Sequence, residues 1–167
     1  DGLYGAVKHV LACREHGLSP VLGVDLALLG AGRAGVAGTR GGQRRRPLPP
    51  RVLGRVVVLA TGNNAGAGYA ALCRVVSAAH RAHDRHQGHP IGLTTAQLAR
   101  HVHRAAAHGK PGLVVLVGPD SDVGKLLAGR HYQPARTALE RWRRVLPPGT
   151  LVVETATHLS PQGAPLS

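Results

Sequence analysis

Eight carboxylates are all the acid this chain has: Asp1, Glu15, Asp25, Asp84, Asp120, Asp122, Glu140 and Glu154. General acid–base or metal chemistry must therefore be built from few groups. Asp25 is the most informative of them. It lies inside the apolar run VLGVDLALL, where a carboxylate is costly unless it is paired, hydrogen-bonded or on a metal. His158 follows Glu154 just past a second apolar run, LVVET. The C-terminal ends of strands are where α/β folds assemble their sites, which makes His158 a second candidate.

Other patterns are weaker. His80, His83, His86 and His89 recur every third residue, with His101 and His103 following, and imidazoles so spaced can hold zinc. Gly88 and Pro90 break the helix that would align them, so we read a solvated polar run. Gly30 to Gly35 matches GxGxxG, but the sequence behind it is a poor helix, and no acid lies between Asp25 and Asp84 to hold a ribose. Gly118 to Lys125 resembles a phosphate loop with one residue too many, and Leu126 replaces the magnesium-binding hydroxyl. We expect a strand-to-helix turn there, capped by Asp120 or Ser121. Arg44, Arg45 and Arg46, with Arg40 and Arg51 nearby, form a basic block suited to phosphate backbones. No aromatic residues interleave it, so the contact we expect is salt-sensitive and sequence-independent.

These residues need elements to position them. Leu3, Val7, Val10 and Leu11 make a helical stripe over residues 2–16, with Gly17 and Pro20 ending it. Val21 to Leu29 reads as a strand buried on both faces. Residues 30–51 are Gly-, Arg- and Pro-rich and read as a flexible surface insertion. Then come a strand from Arg55 to Ala60, a helix from Ala65 to Ala82, and a loop over 83–93. A helix capped by Thr94 or Thr95 runs to about His108. A strand from Gly112 to Val117, helices at Ser121 to Gly129 and Pro134 to Val145, and a strand from Leu151 to Thr155 complete the pattern. Strands alternating with helices predict an α/β fold, a parallel sheet or barrel.

Composition sets outer bounds. The chain has 167 residues and a formal net charge of +13, with 18 Arg and three Lys. Apolar residues make up 43%, too many for a disordered chain of this charge. No apolar run is long enough to span a bilayer. Cys13 and Cys73 stand far apart without a CxxC, which argues against a disulfide scaffold or thiolate zinc site and leads us to expect a reducing cytoplasm. Aromatic residues are 2% of the chain, so base-stacking platforms are nearly absent. Heavy Arg, Ala, Gly and Pro usage reads as a GC-rich genome, and the absence of Met leads us to expect a fragment or a processed piece.

Four stretches, in order, carry a family resemblance. The first contains Leu3-Tyr4-Gly5, Gly17, Pro20-Val21-Leu22-Gly23 and Asp25. The second is RVVVLATGNNAGAGYAALCRVVSAAH, the third LVVLVGPDSDVGKLL and the fourth LVVETATHLSP. Together they resemble the PHP domain of bacterial DNA polymerase III alpha subunits, the C-family DNA polymerases, in their actinomycete-type form. The resemblance covers nearly the whole chain. It implies a partial, distorted (β/α)7 barrel over residues 1–167.

In that family the barrel normally holds a cluster of His, Asp and Glu around manganese, zinc or magnesium. In some members the cluster supports a proofreading 3′–5′ exonuclease. In others it has decayed to a structural platform. Asp25 and His158 match family metal ligands. The family's early His-x-His and Thr-Asp-His would lie before Asp1, and Arg55 stands where the family has a His. An arginine cannot ligate a metal. The resemblance thus implies a segment of a DNA-directed DNA polymerase, a nucleotidyltransferase of DNA replication, with DNA and other replisome subunits as partners. For this segment alone it implies neither catalysis nor a bound metal. A free-standing phosphoesterase of the same fold and a non-catalytic basic module binding nucleic acid or protein remain as alternatives.

Overall fold

The computed structural model describes residues 2–30, 50–61, 65–81, 90–106 and 110–155. The elements run α1 (Ala6–Glu15), β1 (Gly23–Leu29), β2 (Val52–Ala60), α2 (Ala65–Arg81), β3 (Gly92–Thr94), α3 (Thr95–Ala105), β4 (Leu113–Val117), α4 (Asp122–Ala128), α5 (Tyr132–Val145) and β5 (Leu151–Val153). The class is α/β.

One mixed sheet has the order β3-β1-β2-β4-β5. β1 pairs antiparallel with β2, and β2 antiparallel with β4. β3 is parallel to β1, and β5 parallel to β4. Four strands therefore point one way and β2 points the other. This corrects the expectation of a parallel sheet. The connection from β1 to β2 carries no helical periodicity, and without a crossover helix consecutive strands pair as a hairpin. The stems of residues 30–51 are held together by the Gly30 N–H donating to the Arg51 carbonyl at 2.8 Å. The rest of the insertion, with Arg44, Arg45, Arg46 and the GxGxxG pattern, lies outside the described residues. Among the described residues the sheet is open, and its edge strands β3 and β5 are three residues each.

The core lies on one face of the sheet. Val24, Leu26, Leu28, Val56, Val58, Val115 and Val117 alternate inward and meet Leu72, Val75, Leu98, Val102 and Trp142 from the helices. The opposite face carries Asp25, Arg55, Val57, Leu59, Val114 and Leu116, all partly or well exposed, and Ala27, which is buried, so β1 is covered on both faces toward its end and open at Asp25. Asp25, expected inside a doubly buried strand, is on this face, because side chains alternate along β1 and its buried neighbours Val24 and Leu26 point the other way.

Local signals placed the helix ends. The Thr94 hydroxyl accepts the Gln97 N–H while the Gln97 side chain accepts the Thr94 N–H at 2.8 Å, a capping box that opens α3. Gly17, with φ of 67°, ends α1 in the left-handed region that favours glycine. The stripe on α1 does not reach the core. Ala6 is its buried residue, whereas Val7 is 64% and Leu11 53% exposed.

Candidate functional site

Arg55 and Asp25 meet on the half-exposed face of the sheet. The register sets Arg55 opposite Ala27 and Val57 opposite Asp25, so the two charged side chains are diagonal neighbours on one face. The Arg55 Nε donates to Asp25 Oδ2 at 2.7 Å, and its Nη2 donates to the Asp25 carbonyl at 3.3 Å. The Arg55 backbone N–H donates to the Asp120 carbonyl at 2.8 Å, which ties the strand to the turn before α4. The carboxylate expected to ligate a metal is thus directed at a guanidinium. Among the described residues, no group of three or more His, Cys, Asp or Glu is placed to hold a metal ion. The residues present do not fit the cation that the resemblance implies. His158 lies outside the described residues.

The loop resembling a phosphate cradle is filled by its own backbone. The Ser121 Oγ donates to the Gly118 carbonyl at 2.6 Å and accepts the Gly124 N–H at 3.0 Å, capping α4 as expected of a strand-to-helix turn. A Cβ on Gly124 would overlap the Pro119 and Gly118 carbonyls, and one on Gly54 would sit 2.6 Å from the Asp122 nitrogen. At these two positions the backbone is stacked so closely that only glycine fits.

Sequence reasoning missed a buried carboxylate here. Asp122 Oδ1 accepts the Trp142 indole N–H at 3.0 Å, and Oδ2 accepts an Arg141 N–H at 2.7 Å. The same Oδ1 accepts the Val123 N–H at 3.0 Å. Each partner stabilises the anion, so the buried charge is satisfied. The one available signal was a lone tryptophan on a helix in a chain poor in other aromatics, which predicts a buried indole in need of an acceptor.

Of the histidine run, the described members do not converge. His103 Nε2 lies 3.0 Å from the Val145 carbonyl and ties α3 to α5. His101 faces arginines instead. Burial first, then the charges of Arg104, Arg100, Arg74 and Arg81, hold its ring below the ordinary imidazole value.

Concavities lie elsewhere. One of about 540 Å³ is bounded by Leu139, Arg143, Leu146 and Leu151. Another of about 380 Å³ is bounded by Leu3, Tyr4, Cys73, Val76, Ser77 and His80. A hydrogen bond with Cys73 pushes the Tyr69 phenol above its ordinary value. Among the described residues, no carboxylate lines either concavity. No protein-family model matches the chain, and a search of curated proteins finds no match to it.

Proposed function

We propose that this chain is a PHP-type segment of a bacterial DNA polymerase III alpha-type subunit, serving as a structural platform in which an ion pair stands in for metal ligation. The carrying observation is the 2.7 Å contact between Arg55 Nε and Asp25 Oδ2. The resemblance puts a ligand acid at Asp25 and a ligand His at the position of Arg55. A guanidinium there supplies a fixed positive charge next to the carboxylate, where the family would have a cation. What supports reading it as part of a distorted (β/α)7 barrel is the four co-directional strands with helices between them; the central β2, antiparallel to both neighbours, departs from that pattern. In this reading the chain acts in the cytoplasm, in DNA replication, with DNA and replisome subunits as partners of the whole polymerase.

Titration calorimetry with manganese and zinc tests the platform reading. We expect no heat that depends on Asp25. Stoichiometric binding lost in Asp25→Asn, or manganese-dependent release of 3′ nucleotides from a labelled primer, would overturn it. Reading the coding DNA on both sides tests the family. A Thr-Asp-His just upstream and a long downstream frame with paired aspartates are expected, and stop codons on both sides would sink the assignment.

A further inference from the structure

Four exposed arginines lie on two neighbouring helices, away from the described ion pairs. α2 and α3 pack together through Leu72, Val75, Leu98 and Val102, which are buried in the common core. Their outer surfaces carry Arg74 and Arg81 on α2 and Arg100 and Arg104 on α3, all exposed. Arg74 and Arg81 are seven residues apart and Arg100 and Arg104 four apart, so each pair shares one helical face. Like charges at the latter spacing cost a helix a few tenths of a kcal/mol, and here no carboxylate among the described residues offsets them. His101, also on α3, is held below the ordinary imidazole value by burial first and then by the charges of all four guanidiniums. The described ion pairs lie elsewhere, at Arg55–Asp25, Arg136–Glu140 and Arg141–Asp122.

We propose that Arg74, Arg81, Arg100 and Arg104 form a docking surface for the phosphate backbone of duplex DNA. The occupant follows from the chemistry. Guanidiniums pair with phosphate oxygens through two parallel N–H donors. Between Arg74 and Arg81, and along α3, there is no Phe, Tyr or Trp on which to stack an unpaired base, so the four arginines offer contact to backbone charge and not to base identity. This surface uses residues other than the Arg44–Arg46 block and does not depend on the polymerase assignment, since a free-standing module could use it equally.

Fluorescence anisotropy of the full chain with a labelled duplex tests it. Four phosphate contacts contribute about 3.6 to the slope of log affinity against log salt, or about a hundredfold between about 50 and about 200 mM. The variant with Arg74, Arg81, Arg100 and Arg104 each changed to Gln should lose that part of the slope. A charge-matched control with Arg14, Arg51, Arg143 and Arg144 changed to Gln should keep most of it. Glutamine is nearly as good a helix former as arginine, and the melting curve of each variant checks the fold. Bound phosphates should also raise the titration midpoint of His101, read by NMR.

Equal losses in the two variants would mean bulk attraction to a chain of charge +13 and would overturn the proposal. So would loss of binding only on changing Arg44, Arg45 and Arg46, or equal affinity for polyglutamate. None of these outcomes bears on the metal titration that tests the platform reading.

Discussion

Asp122 and Asp25 each accept an arginine N–H at 2.7 Å, one at the junction of α4 and α5 and the other across β1 and β2. The Asp122 side chain is 8% exposed and that of Asp25 is 51% exposed. Equal distances therefore describe unequal interactions. Around Asp122 water is excluded, so losing a partner strands a buried charge or a buried indole N–H. Around Asp25 water competes with the guanidinium, and the pair holds geometry more than it holds the fold. Burial, and not contact distance, decides which aspartate is structural. The exposed pair is the one that can be changed without unfolding the chain.

The comparison breaks most visibly at Trp142. Trp142→Ala empties a fully buried site and should cost about 3 to 5 kcal/mol in urea unfolding. A loss under about 1 kcal/mol would show that the α4–α5 junction is not part of the cooperative core. Asp122→Ala should come next, at about 3 kcal/mol, since it leaves the indole N–H unpaired. Pairing this change with Arg141→Gln in a double-mutant cycle sharpens the point. The coupling should be smaller than the Asp122→Ala loss, because Arg141 is half exposed.

Gly54 lies between the two pairs, next to Arg55 and against the backbone of Asp122. Gly54→Ala would press a Cβ onto three backbone atoms within 2.7 Å and should cost about 1 to 3 kcal/mol. A neutral effect would mean that the turn before α4 can shift freely from β2. Asp25→Asn should be the mildest of these substitutions, under about 1 kcal/mol and smaller still in high salt. A loss as large as that of Asp122→Ala would end the distinction between the pairs.

A pH scan adds the smallest effect. The fold holds His101 below its ordinary value through burial and the nearby arginines. The unfolded chain therefore takes up the proton first. This contribution to stability is whole above the ordinary imidazole range of about 6.5, and it is lost as pH falls through the lowered value. His101→Gln should flatten the acid side of the melting-temperature profile. An unchanged profile would mean that neither burial nor the arginines lowers the ring's value in the fold.

Helix and strand positions were largely legible because their causes are local. Thr94 and Gln97 form a capping box whatever lies beyond them, and the apolar run before Gly118 makes β4. Asp25 was legible as a residue in need of a partner, and the resemblance pointed to Arg55 as an obstacle to metal binding. That the obstacle and the partner are the same residue was not legible. The two are thirty residues apart, and only the hairpin register makes them diagonal neighbours. The Asp122–Trp142 bond spans twenty residues and exists only because α4 and α5 fold against each other.

The outward stripe on α1 has the same kind of cause. Periodicity reports that one face is apolar, but burial requires a second surface to meet it. The amino-acid sequence by itself determined most of the elements and caps, though not the strand β3 at Gly92–Thr94, which reads as the end of a loop, together with the basic balance and the scarcity of carboxylates, since each depends on neighbouring residues or on counting. The tertiary structure alone decided that β2 runs against the other strands and that one aspartate is buried while the other is wet. It also decided that arginines from two helices share a surface. Direction, burial and charge clustering depend on which distant segments meet, and no local pattern carries that information.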